Sequence, residues 1–128
     1  MRAFLKMQEK ARGVGEMTTV PFRVSKQSKQ VMEALMRAPR EWHYGYPLAE
    51  QTGLKSGTLY PILRRMQEHG WLETKWEESE EEGRPRRHMY RLTGVGLRGV
   101  REVLGEARLK KLEAAWGTRL AAGAGWAL

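Results

Sequence analysis

The 128-residue sequence has no cysteine and no aspartate. The first absence excludes disulfides, a thiol nucleophile, thiol redox sensing and the common structural zinc sites. With aspartate also missing and the three histidines (His43, His69 and His88) far apart, acid–base or metal chemistry would fall to glutamates alone. No constellation of them is visible, so the sequence reads as neither an enzyme nor a cofactor or metal carrier. Long apolar runs are lacking too: nothing approaches the roughly 18 to 20 residues that cross a bilayer. The N-terminus, Met1-Arg2-Ala3-Phe4-Leu5-Lys6, becomes charged too early for a secretory signal. The expected place is the cytoplasm, with no membrane partner.

What is present is a basic charge unevenly spread. The net charge is +8. Residues 1–30 carry seven Lys/Arg against Glu9 and Glu16, residues 71–83 hold six glutamates against Lys75, and residues 84–91 add Arg84, Arg86, Arg87 and Arg91. A basic balance favours polyanions, and nucleic acid is the commonest in the cytoplasm. The length allows one compact domain plus an extra element.

Residues 1–24 show no clear period and read as a basic arm, disordered or holding a short helix around Phe4, Leu5, Gln8 and Ala11. A first helix is expected from Ser25 to about Ala38. Val31, Ala34, Leu35 and Ala38 follow helical spacing, Ser25 caps the start and Pro39 stops it. A short helix follows within Tyr44–Gly53, with Pro47 at its first position and Gly53 after its end. Lys55-Ser56-Gly57-Thr58 then opens another, running to about His69, whose Leu59, Ile62, Leu63 and Met66 form one apolar stripe. Two helices joined by a tight Gly-Leu-Lys turn have the layout of a helix-turn-helix.

After Gly70 the period changes to two. Leu72, Thr74 and Trp76 alternate with charged residues. A polar tip turns the chain, and Arg86, His88, Tyr90 and Leu92 then alternate with Arg87, Met89 and Arg91 as a second strand. The fold class is therefore mainly α with a small β part (α+β): a winged helix-turn-helix domain over residues 25–93 with a two-stranded wing. Thr93 caps a C-terminal helix over 94–120, and residues 121–128 form a flexible tail. Leu97, Val100, Val103, Leu104 and Ala107 make one stripe on that helix; Leu109, Leu112, Trp116 and Leu120 make a second on the opposite side. A small domain covers one stripe. The second is read as a dimerisation surface, with a bent helix folding back on itself as the alternative.

In a helix-turn-helix the second helix enters the major groove. Its face opposite the apolar stripe offers Lys55, Ser56, Thr58, Tyr60, Pro61, Arg64 and Arg65. Small and hydroxyl side chains sit where bases come close, and arginines a turn later where phosphates pass. Gly57 lets the backbone approach the duplex. Arg84, Arg86 and Arg87 on the wing reach toward the minor groove or flanking phosphates, although the neighbouring glutamates keep the whole wing from lying on DNA. Trp116 reads as interface core, or as a stacking platform for a flat apolar ligand between subunits.

The Gly45-Tyr46 pair, the run Gly53-Leu54-Lys55-Ser56-Gly57-Thr58-Leu59-Tyr60-Pro61-Ile62-Leu63-Arg64-Arg65-Met66 and Gly70-Trp71-Leu72-Glu73 resemble the core of PadR transcriptional regulators. The wing from Trp76 through Gly83-Arg84-Pro85-Arg86-Arg87 and the segment Tyr90-Arg91-Leu92-Thr93 extend the resemblance, which covers about residues 30 to 100. It implies a homodimeric regulator, usually a repressor, that binds a palindromic double-stranded DNA operator and dimerises through its C-terminal helices. Some members bind phenolic or drug-like effectors between subunits, which makes a small aromatic effector an expected partner. Three features depart from the pattern: Lys55 stands where many relatives have a capping serine, the first 24 residues exceed a minimal member, and the C-terminal part is a single helix of the short subtype. The alternative reading is a winged-helix protein-interaction module in which Tyr60, Pro61 and Trp71 would contact a protein.

Overall fold

The structure is a computed structural model, and it describes residues 20–77, 83 and 86–117. The expectations for the arm before residue 20, for Arg84 at the wing tip, and for Leu120 and the tail lie outside the described residues. Four helices and three strands follow in the order α1 (Lys26–Leu35), β1 (His43–Tyr44), α2 (Gly45–Thr52), α3 (Ser56–Glu68), β2 (Leu72–Glu77), β3 (Arg87–Leu92) and α4 (Gly94–Trp116). This is the winged-helix arrangement.

The Ser25 hydroxyl caps α1 by accepting the Ser28 N–H at 3.1 Å, which satisfies one of the otherwise orphaned first-turn donors. Val31, Met32, Ala34 and Leu35 are buried on one face. Gly53, at φ 75°, ends α2. The turn into α3 is closed by Thr52, whose hydroxyl donates to the Leu48 carbonyl at 2.8 Å and accepts the Leu54 N–H at 3.2 Å. Leu59, Leu63 and Met66 of α3 are fully covered and Ile62 nearly so. At about 1.5–3 kcal/mol for each fully buried large aliphatic side chain, this stripe alone fixes the rotation of α3 about its axis.

The sheet has three strands rather than the two expected. Its order is β1-β3-β2, all antiparallel, with His43 opposite Tyr90 and Tyr44 opposite Met89. The two residues of β1 carry no period of their own; pairing with β3 makes them a strand. That strand passes directly into α2, which therefore begins at Gly45, two residues before Pro47. In β2 the expected alternation stops short: Leu72 is buried, but Trp76 is 52 % exposed.

Trp71 joins the wing to α4. Its N–H reaches the Met66 carbonyl at 2.8 Å, and its own carbonyl accepts the Thr93 N–H at 3.0 Å. The ring is 2 % exposed and lies on the glycine face of α4. A Cβ at Gly99 would sit 2.6 Å from Cε2 of the ring, and one at Gly96 would sit 2.7 Å from the Trp71 carbonyl carbon. Thr93 caps α4, accepting the Gly96 N–H at 2.9 Å. On the N-terminal side, Phe22 meets Trp71 edge-on at 4.8 Å, and Val20, Phe22 and Val24 pack against the core. The chain immediately before Ser25 is thus ordered against the domain.

The C-terminal element differs most from expectation. Gly105, at φ 81° and ψ 156°, breaks α4 into two segments, a conformation close to the glycine-only region. The second segment folds back on its own protomer. Leu109 and Leu112 are buried there, and Arg108 forks onto Glu33 of α1 with Nε–Oε2 at 2.8 Å and a second bond of 2.9 Å. Their expected role at a subunit boundary therefore meets a competing use inside the chain.

Candidate nucleic-acid interface

The exposed side of α3 is set by what its other side buries. With Leu59, Ile62, Leu63 and Met66 turned inward, Lys55, Ser56, Thr58, Tyr60, Pro61, Arg64 and Arg65 all stand exposed. The six α3 residues expected from the sequence and the N-cap Lys55 therefore share one surface. Lys55 occupies the N-cap position without a side-chain cap bond, so first-turn amides face outward beside a cation, a combination that favours an anionic oxygen. Pro61 lies inside the helix and cannot donate to the carbonyl of residue 57. Gly57 is exposed, and a Cβ there would meet nothing within 4 Å. No packing demand accounts for that glycine.

The wing residues are more constrained. Arg87 bonds Glu77 through Nε at 2.9 Å and through a second nitrogen at 2.7 Å, and its guanidinium lies 4.3 Å above the centre of the Tyr44 ring. Glu77 also accepts the Tyr44 hydroxyl at 2.6 Å. That bond, strongest among several effects, raises the Tyr44 pKa above its ordinary value. Arg87 would have to exchange Glu77 for a phosphate. Both arginine and glutamate are partly exposed, so the pair itself holds the wing by no more than about 1 kcal/mol. Arg86 is exposed, 5.5 Å from the centre of the Trp76 ring.

Between wing and α3 lies a group of rings that sequence reasoning did not assemble. Trp76 stacks on His88 with centroids 4.4 Å apart and planes 12° apart. The Tyr90 hydroxyl is 3.0 Å from His88 Nδ1. Burial pushes the Tyr90 phenol up to about 12 and lowers the His88 pKa, since both lose water around their charged forms. Tyr60 leans across Gly45, where a Cβ would lie 3.0 Å from Cζ of the phenol and closer still to its hydroxyl. Gly45 and Tyr60, distant in sequence, thus meet in one contact.

At the other end of the molecule Trp116 is half-buried. Arg37 sits 5.0 Å from its ring centre, and the two line a cavity of about 200 Å³ between α1 and α4. Among the described residues no helix is long and apolar enough to cross a membrane.

Residues 34–102, more than half of the chain, match the model of the "Transcriptional regulator PadR-like family". The chain belongs to the PadR-like family. Its fold is similar to that of a PadR family transcription regulator from Clostridium difficile R20291, at 26% identity over 72% of this chain and 98% of that one, with a TM-score of 0.55. It is similar also to a PadR-like transcription factor from Bacteroides fragilis, at 27% identity over 71% of this chain and 90% of that one, TM-score 0.51. No curated protein matches the sequence. As a PadR-like transcription regulator with a winged-helix fold, the chain is a DNA-binding regulator, and α3 occupies the recognition-helix position.

Proposed function

We propose that the protein is a sequence-specific repressor that binds a palindromic operator as a homodimer. The observation that carries this reading is the exposed side of α3, where Ser56 and Thr58 precede Arg64 and Arg65 over a fully buried apolar stripe. In the major groove the first turn reads base edges, while Arg64 and Arg65 meet phosphates a turn later. Arg86 and Arg87, with Arg84 at the tip, extend the contact to the flanking backbone. Two copies place their recognition helices about 34–36 Å apart, one turn of duplex, or a multiple of it.

Dimerisation is assigned to the second stripe of α4. Leu109, Leu112 and Trp116 serve it when the segment after Gly105 leaves α1 of its own chain and covers the same groove on the partner. The contacts are those seen within one protomer, made between two. A small aromatic effector that releases the operator completes the proposed function.

The salt dependence of binding tests the assignment of the arginines. Fluorescence anisotropy on a bound duplex should give a steep negative slope of log affinity against log salt. The Arg64→Ala/Arg65→Ala variant should lose about two phosphate contacts per protomer, each worth about 0.9 of slope. An unchanged slope would remove these two residues from the interface.

A further inference from the structure

The cations of α3 and of the wing are held differently. Among the described residues, Lys55 at the N-cap of α3 and Arg64 and Arg65 within it engage neither a carboxylate nor a ring. On the wing, Lys75 and Arg91 lie 4.7 and 4.3 Å from the centre of the Trp42 ring, and Arg91 also pairs with Glu73. Arg87 is the most closely held. Register puts it directly opposite Glu77, and puts Tyr44 opposite Met89. Side chains alternate between faces, so Tyr44, Arg87 and Glu77 stand on one face, one from each strand. A single carboxylate oxygen of Glu77 accepts both the Nε–H and a second N–H of Arg87, while its other oxygen accepts the Tyr44 hydroxyl. One forked edge of the guanidinium is thereby used, and such an edge is what grips a phosphate. The Tyr44 ring covers a face of the same group. Arg87 also lines a cavity of about 410 Å³ between the wing and α3, with Tyr46, Tyr60 and Trp76 among its walls. It is therefore beside the recognition helix, not on the far side of the wing.

We infer that Glu77 is a built-in competitor of DNA phosphate for Arg87, with Tyr44 as the positioning residue that keeps the carboxylate in place. This role rests on the proposed function, since a competitor needs the phosphate with which it competes. The open cations of α3 meet the backbone at no such cost. The wing joins by exchanging one anion for another: Arg87 gives up the carboxylate and takes a phosphate oxygen, and Glu77 keeps the Tyr44 hydroxyl. Its contact adds only the difference between two charge-assisted pairs, less than an unheld arginine would add.

The test is fluorescence anisotropy with a duplex that the wild-type chain binds. Glu77→Gln keeps the shape and removes the charge, and should tighten binding about two- to fivefold per wing. Tyr44→Phe leaves the ring against the guanidinium and should tighten binding by less. In the Arg87→Ala background most of the Glu77→Gln gain should vanish. Equal gains in both backgrounds would overturn the inference, because Glu77 would then be only a negative charge near the backbone. A Glu77→Gln variant that binds no tighter would overturn it too, making Glu77 an organiser of Arg87 instead. The clamp itself is read without DNA, by NMR of the arginine Nε–H groups. In wild type the Arg87 signal should exchange with water more slowly than those of Arg64 and Arg65, and in Glu77→Gln it should exchange as fast. Equal rates in wild type would contradict the clamp. A protected Arg87 in a chain that binds no duplex would instead contradict the operator reading, and the competitor would fall with it while the clamp stands.

Discussion

Tyr60 lies across Gly45 so closely that a methyl group on residue 45 would overlap the phenol. This contact ties the recognition helix to the start of α2 and shapes the cavity beside the wing. Gly45→Ala should therefore displace Tyr60 and cost about 1–3 kcal/mol, the usual range for forcing extra volume into a packed site. Urea unfolding would measure the loss. The double variant Gly45→Ala/Tyr60→Ala should recover part of it, whereas additive losses would show that the two residues do not interact.

Gly57 offers the opposite case. With open space around its Cα, Gly57→Ala should leave the fold intact or stabilise it by up to about 1 kcal/mol through helix propensity. If the backbone there approaches the duplex, the same variant should weaken DNA binding. Thermal unfolding and anisotropy on one sample separate the two effects, and unimpaired binding would place residue 57 away from DNA.

Trp71 sets a limit on α4. Its ring and carbonyl fill the room beside Gly99 and Gly96. Gly99→Ala should destabilise the domain by about 1–3 kcal/mol despite alanine's better helix propensity. Chemical denaturation would show it as a lower midpoint at unchanged slope; a stabilised variant would mean that the ring has room to move.

At Gly105 a side chain is disfavoured by φ 81° and ψ 156°, at a cost of about 1–3 kcal/mol for a non-glycine residue. Gly105→Ala should favour a continuous helix, lift Leu109 and Leu112 off α1 and increase self-association. Light scattering over a concentration series would detect the shift. A variant that becomes more monomeric would argue against exchange of this segment between protomers.

His88 should titrate below its ordinary 6.5, because burial disfavours the imidazolium. NMR of the ring protons against pH would show it. As pH falls, the unfolded chain takes up this proton first, so the associated stability is full above about 6.5 and is lost as pH drops through the lower folded value. A midpoint above 6.5 would mean that a nearby anion outweighs burial.

The features that were legible in the sequence are local ones. Ser25 and Thr93 as caps, Gly53 as a helix stop and the α3 stripe each depend on neighbours within a turn, and each stands where the pattern puts it. What escaped depends on distant partners. His43-Tyr44 becomes a strand only because β3 lies beside it. Trp76 escapes the alternation of β2, stacking on His88 instead of entering the core. Gly105 interrupts a helical pattern that continues on both sides, so the hydrophobic stripes read as one straight helix with two faces. The exposed face of α3 could be read from its spacing opposite the buried stripe. The aromatic cavity could not, because its walls come from β1, α2, α3 and both wing strands.

Sequence-specific recognition by a dimer is best examined by selecting bound sequences from a random duplex pool. A palindrome should be enriched whose half-sites are one turn or a multiple of it apart, about 10–10.5 base pairs per turn, with enrichment lost in the Arg64→Ala/Arg65→Ala variant. A folded dimer that enriches no sequence would contradict the proposed function, and would leave a non-specific DNA binder or a protein-interaction module as the better description of this fold.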